Sequence, residues 1–144
     1  MGTKQKTRDP SKQRRRLFTA HSFQRSKMIS ARLSKDLREK YKVKRMPVRP
    51  GDVVYITAGD FIGTEGKVLE VDTKKRRLGI DGIAREKADK SKIMYKIDTS
   101  KVVIRRFGKV DKSRKKILER RAKMELEIDE DDISEAEAEA LEEE

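Results

Sequence analysis

β-Branched and aromatic residues collect in the middle of the chain, in short runs that alternate with turn signals. Val53-Val54-Tyr55-Ile56 follows Pro50-Gly51-Asp52 and predicts a strand that leaves directly from a turn. Gly59, Gly63 and Gly66 punctuate the next stretch, which leads into a second strand, Lys67-Val68-Leu69-Glu70-Val71. Asp72-Thr73-Lys74-Lys75 makes a polar turn into Leu78-Gly79-Ile80. Asp81-Gly82, between Ile80 and Ile83, is the sharpest local signal and predicts a two-residue hairpin turn. Residues 93–97 and Val102-Val103-Ile104 complete five or six short strands between residues 47 and 106. Strands at that spacing in so short a segment favour a small barrel over a sandwich.

The flanks have a different pattern. Before residue 47, Arg14-Arg15-Arg16 is followed by Leu17-Phe18, then by Phe23, Arg25, Lys27, Met28 and Ile29. Sparse apolar residues among bases do not make a self-sufficient core, so residues 1–46 read as a basic, partly helical extension, poor in strands. Ser34 is placed to cap a helix around residues 34–42, with Asp36 in its first turn and Leu33, Leu37 and Tyr41 every fourth residue. Met46-Pro47 stops any such helix, because the residue before proline is driven out of the α region. In residues 107–128, Asp111 can cap a basic helix whose Ile117, Leu118, Ala122 and Leu126 form a partly apolar side. Residues 129–144 open with Asp129-Glu130-Asp131-Asp132, pass into Glu/Ala alternation and read as a disordered acidic tail.

Composition sharpens this division. Of 144 residues 34% are hydrophobic and 44% charged, too few apolar groups for a core along the whole length. The net charge of +12 is unevenly spread. Residues 1–50 hold 17 Lys and Arg against 3 acids, residues 51–124 hold 21 against 11, and residues 125–144 hold 12 acids and no base. A strongly cationic body suits a polyanionic partner, of which nucleic acid is the commonest. The absence of Cys excludes a disulfide framework, a thiolate nucleophile and a Cys-based zinc site. No apolar run reaches the roughly 20 residues needed to cross a bilayer, so no membrane insertion is expected.

Catalytic and cofactor motifs fail on inspection. Phe61 and Val68 stand where a phosphate-binding P-loop would need Gly and Ser or Thr, and Phe61 also breaks the dinucleotide fingerprint. The three glycines serve turns and a bulge, and a loop with few side chains also lets backbone N–H groups approach phosphates. His21 is the single histidine, so a His-based metal site or a Ser/His/Asp triad would rest on that one residue, and its basic, extended setting favours a phosphate or base contact over catalysis. No metal, cofactor or small-molecule substrate is expected, and no enzymatic activity. Lys74-Lys75-Arg76-Arg77 and Arg114-Lys115-Lys116 add two basic runs to that of the arm. Three such runs in separate segments favour phosphate contacts over a merely solvated surface. Phe18, His21, Phe23 and Tyr41 read mainly as packing residues, with stacking on unpaired bases the second reading.

Several stretches together carry a resemblance. Arg49-Pro50-Gly51-Asp52-Val53-Val54-Tyr55-Ile56-Thr57-Ala58-Gly59, followed by Gly63-Thr64-Glu65-Gly66-Lys67-Val68, resembles a KOW motif. Leu33-Ser34-Lys35-Asp36-Leu37-Arg38-Glu39-Lys40-Tyr41 with Met46-Pro47-Val48-Arg49 is similar to the N-terminal extension of archaeal and eukaryotic members of the large-subunit ribosomal protein twenty-four family. Ala84-Arg85-Glu86-Lys87-Ala88 and Ser100-Lys101-Val102-Val103-Ile104 resemble its later strands, and residues 111–120 its C-terminal helix. The likeness covers roughly residues 11–124 and implies that the N-terminus belongs to the mature protein rather than to a transit peptide.

The resemblance implies a mainly β fold, an SH3-like KOW barrel over residues 47–106. It implies a structural constituent of the cytoplasmic large ribosomal subunit, bound to the 5′ domain of large-subunit ribosomal RNA. Neighbouring ribosomal proteins, a place near the polypeptide exit and an early role in assembly follow from it. The RNA-binding residues expected in the arm are Lys12, Arg14, Arg15, Arg16, His21, Arg25 and Lys27, then Arg32, Arg38, Lys42, Lys44 and Arg45. In the β module they are Arg49, Gly59, Gly63, Gly66, Lys67, Lys74, Lys75, Arg76, Arg77, Arg85 and Lys87, and in the C-terminal helix Arg114 and Lys115. Asp60-Phe61-Ile62 stands where many members carry bases, so the arms are expected to carry more affinity than this loop. Two other readings are weaker. A transcription elongation factor would carry a mixed α/β domain before its KOW module, and a nuclease would need clustered acids in the folded part.

Overall fold

A computed structural model describes residues 7–122. In chain order they form α1 (Pro10–Thr19), α2 (Ser22–Met28), β1 (Ser30–Leu33), α3 (Lys35–Tyr41), β2 (Arg45–Pro47) and β3 (Val53–Ile56). There follow β4 (Glu65–Asp72), β5 (Arg77–Glu86), β6 (Lys92–Asp98), a 3-10 turn, β7 (Val102–Arg106) and α4 (Lys112–Ala122). The expected helix over 111–128 is thus present to Ala122; residues 123–128 and the acidic tail lie outside the described residues.

The seven strands hydrogen-bond in the order β2-β1-β7-β3-β4-β5-β6. Neighbours are antiparallel except β1 and β7, which pair in parallel with Leu33 opposite Ile104. The chain is mainly β, as expected. The ladder ends at β2 and β6, however, so the pairing does not close into the expected barrel.

Two strands were not expected. Ser30-Ala31-Arg32-Leu33 has no β-branched residue, and β2 is three residues long and ends in Pro47. Neither has strand propensity of its own; pairing imposes the conformation. A proline is tolerated because β2 is an edge.

The predicted Asp81-Gly82 hairpin is a correction. β5 runs straight through these residues and the register against β6 shifts between Gly79 and Ala84, so Asp-Gly marks a bulge. A type I′ turn needs positive φ at both central residues, and only Gly82 has it, at 76°. The Asp81 carboxylate accepts from the Gly82 N–H at 2.9 Å, and buried Ile83 holds the strand on the core. The true hairpin turn follows at residues 87–91, closed by the Lys87 N–H donating to the Ser91 carbonyl.

α3 forms as expected. The Ser34 hydroxyl accepts from the Leu37 N–H at 3.3 Å, and Lys42, at φ 53°, ends the helix before Met46-Pro47 is reached. Leu37 and Tyr41 are its buried contact face, with Tyr41 tilted against Phe107 at 5.8 Å, while Leu33, expected in the same stripe, ends β1 and is buried from there. Val54, Ile56, Val68, Leu78, Ile80, Ile104 and Leu118 join them in one core between the sheet, α3 and α4.

Candidate nucleic-acid interface

α1 begins at Asp9, whose carboxylate accepts from the Ser11 N–H at 3.0 Å, and Pro10 occupies its first turn. Neither α1 nor α2 contains a buried residue, so Lys12, Arg14, Arg15, Arg16 and Lys27 are exposed. His21 caps α2 through its backbone carbonyl, with its side chain exposed. The Arg25 guanidinium donates to the Phe18 carbonyl at 3.1 Å and ties the two helices together. Tyr41 packs as expected, but Phe18 is 76% and Phe23 59% exposed, so for these two the packing expectation was mistaken.

The arm faces the β4–β5 turn across a groove of about 550 Å³. Leu17, Phe18, Arg25 and Met28 line one wall and residues 73–77, with Lys74, Lys75, Arg76 and Arg77, the other. Two basic segments about fifty residues apart in sequence are thereby brought to one place. The turn is set by its own acid: Asp72 accepts from the N–H groups of Lys74 and Lys75, each at 3.0 Å. The Lys75 N–H, above all, holds the Asp72 carboxyl below its ordinary range against the opposing effect of desolvation, with the Lys74 N–H and two lysine charges adding to it. Lys74, Lys75 and Arg77 are exposed.

The other expected residues are scattered. Lys42, Lys44 and Arg45 are exposed beside the edge strand β2, and Arg45 donates to the Ser30 carbonyl at 3.0 Å. Arg85 and Lys87 sit at the β5–β6 hairpin tip, on the order of 25 Å along the strand from Arg77. Lys67 is half-buried in β4, and Lys115 is exposed on α4. Arg32 and Arg38 line a separate groove with Lys35, Arg105 and Arg106, three cations that the sequence reading did not single out. The available signal was strand alternation: Val102 and Ile104 point into the core, which turns Arg105 outwards.

Arg114 is a correction. It is 1% exposed, and its guanidinium makes a two-pronged contact with buried Asp52 at 2.6 and 2.8 Å. It also lies 4.7 Å from the Phe107 ring centroid. Placed one turn before buried Leu118, it shares the apolar side of α4 and is out of reach of RNA. Arg49 is likewise occupied, bonded to Asp111 at 2.5 Å and to the Ser113 hydroxyl at 2.9 Å. Both arginines fasten α4 to the sheet.

Of the loop glycines, Gly59 and Gly63 have positive φ, and a Cβ on Gly63 would meet nothing within 4 Å. Gly66 differs. A Cβ there would lie 2.7 Å from Ile80 Cγ2 and 2.8 Å from the Asp81 carbonyl oxygen, so it is a glycine for strand packing. Gly66→Ala is expected to destabilise the protein by about 1–3 kcal/mol through overpacking, while the folded variant keeps its RNA affinity. Urea denaturation beside a binding titration checks this; lost affinity at unchanged stability would restore the glycine to the interface.

Asp111 caps α4, accepting from the Arg114 N–H at 2.9 Å. Its carboxyl is lowered to about 2 by the Ser113 hydroxyl first, against an opposing desolvation, with the Arg114 N–H and Arg49 adding to the fall. A depressed carboxylate stabilises the fold fully above its ordinary value of 3.8, and that share is lost as pH falls through about 2. Asp111→Asn is therefore expected to be less stable than the parent above pH 4 and to converge with it near pH 2. Denaturation midpoints across that range test it, and a constant difference would place the role of Asp111 elsewhere.

Among the described residues no cluster of three or more metal-ligating side chains occurs, and no helix is long and apolar enough to cross a membrane. Residues 7–121 match the model of a family that comprises the ribosomal proteins L26 of eukaryotes and L24 of archaea. The chain is similar to the large ribosomal subunit protein uL24 of Korarchaeum cryptofilum, 44% identical over 81% of this chain and 88% of that one. It is 41% identical to the uL24 protein of Sulfolobus acidocaldarius over 80% of this chain and 86% of the relative. With that of Pyrobaculum islandicum the identity is 46%, over 79% of this chain and 93% of the relative.

Proposed function

The chain belongs to this family of large-subunit ribosomal proteins, and on that premise we propose that it is a structural, non-catalytic constituent of the cytoplasmic large subunit that binds large-subunit ribosomal RNA. The observation that carries the RNA-binding part is the groove between the α1–α2 arm and the β4–β5 turn, with cations on both walls. A-form RNA is recognised mostly through shape, phosphate and 2′-OH contacts, which suits flexible Lys and Arg side chains on a rigid turn. β3 to β7, carrying the KOW segment, act in this reading as an open SH3-like platform. The RNA segment is the 5′ domain, beside neighbouring ribosomal proteins and near the polypeptide exit, and binding occurs early in assembly. These finer placements are what the resemblance read from the sequence implies.

The test is the affinity of the full chain for a fragment of the 5′ domain across a salt series. Several neutralised phosphates predict a linear fall of log K with log salt, about 0.7–0.9 in slope per phosphate. Affinity that hardly changes with salt would sink the proposal.

A further inference from the structure

We infer that the groove between α3 and β7 is a second RNA site, built for one unpaired nucleotide rather than for a duplex backbone; the inference rests on the RNA-binding reading above. The groove encloses about 680 Å³ and is separate from the one at the arm. Its floor is Tyr55, whose neighbours Val54 and Ile56 are buried in the core, so strand alternation puts the tyrosine ring on the outer face. Across the sheet Tyr55 stands opposite Glu65 on one side and Val103 on the other. Arg105, two residues beyond Val103 on the same face, lies diagonal to it.

The consequence is a prepared platform. The Arg105 guanidinium lies 4.9 Å from the Tyr55 ring centroid, and Glu65 engages it from the opposite strand at 3.4 Å. A flat guanidinium held over an aromatic ring offers a planar, cationic surface on which a base stacks. Such a surface is of use only to a base already out of its own stack, because a paired base has both faces covered. Arg32, Lys35 and Arg38 stand along the groove within reach of the phosphate of the same nucleotide. Base stacking and phosphate neutralisation in one concavity suit a bulged or looped nucleotide. At the β4–β5 turn, by contrast, Lys74, Lys75, Arg76 and Arg77 carry no ring of their own; the ring in that groove is the exposed Phe18 of the arm.

Single-stranded decauridylate and a twelve-base-pair RNA duplex distinguish the two modes. The chain lacks Trp, and Tyr41 is buried, so quenching of tyrosine emission reports on Tyr55 and Tyr95. Decauridylate is expected to quench the parent, and Tyr55→Phe to keep the affinity while removing most of the quench. Arg105→Leu, at an exposed position, is expected to weaken decauridylate about 5- to 150-fold, the range of one lost stacking contact, and to leave duplex binding nearly unchanged. Equal weakening for both RNAs would reduce the groove to ordinary surface charge. An unchanged affinity and quench in both variants would also overturn the inference and leave the groove to a protein neighbour. If the parent binds neither these RNAs nor the ribosomal fragment, it is the broader RNA-binding proposal that fails.

Discussion

Asp52→Ala is expected to destabilise the protein by about 3–5 kcal/mol, because it strands the buried guanidinium of Arg114 without its counter-ion. Asp52 is 0% exposed and accepts four hydrogen bonds. Two come from Arg114 and one each from the N–H groups of Arg49 and Gly108. It thus fixes the start of β3, the segment after β7 and α4 at a single point. The guanidinium is less well satisfied: its Nε has no hydrogen-bond partner, and the Phe107 ring 4.7 Å away offers only a cation–π contact. The asymmetry gives a second expectation. Arg114→Met leaves a carboxylate that still has two N–H donors, so the single change should cost less than Asp52→Ala. Combining the two should cost much less than their sum, since the double variant buries no unpaired charge. Urea denaturation of the four proteins gives the coupling. Additive losses would mean that Asp52 and Arg114 act separately, despite the geometry.

Reversing Lys74, Lys75 and Arg77 to Glu is expected to weaken ribosomal RNA binding by about two orders of magnitude at moderate salt and to flatten the salt slope by about 2–3. These three side chains are exposed, so the fold tolerates the change, and Asp72 and half-buried Arg76 are left to shape the turn. Arg14→Glu with Arg15→Glu should act in the same direction. The informative quantity is the combination. If arm and turn clasp one RNA segment, the second set of reversals adds less than it does alone, because the first has already released the RNA. Full additivity would mean two independent contacts. Binding curves over a salt series, with duplex melting as a check on the RNA, distinguish these.

How far the sequence could be read depended on whether the information was local. Ser34 and Asp111 announce their helices, because a cap needs only its own next few residues. The β-branched runs of β3 and β7 were legible for the same reason. β1 and β2 were not, since their strand form comes from partners more than ten residues away. Asp81-Gly82 carried a true signal of positive φ that fitted two structures, a hairpin turn or a bulge, and burial of Ile83 decided between them. Arg114 was hidden by its company. In a run of exposed bases only its spacing from Leu118 hinted at burial, and its partner Asp52 lies 62 residues away. The juxtaposition of arm and turn is likewise tertiary, so the sequence could name both basic segments but not that Arg25 and the turn share a groove.

The most direct test of the central claim is ultraviolet crosslinking of the protein to ribosomal RNA inside intact large subunits, with crosslinked residues mapped by mass spectrometry. Crosslinks from the α1–α2 arm and from residues 73–77 to one continuous stretch of large-subunit RNA are the expected result. RNA crosslinks confined to the β5–β6 hairpin, with arm and turn free of RNA, would contradict it.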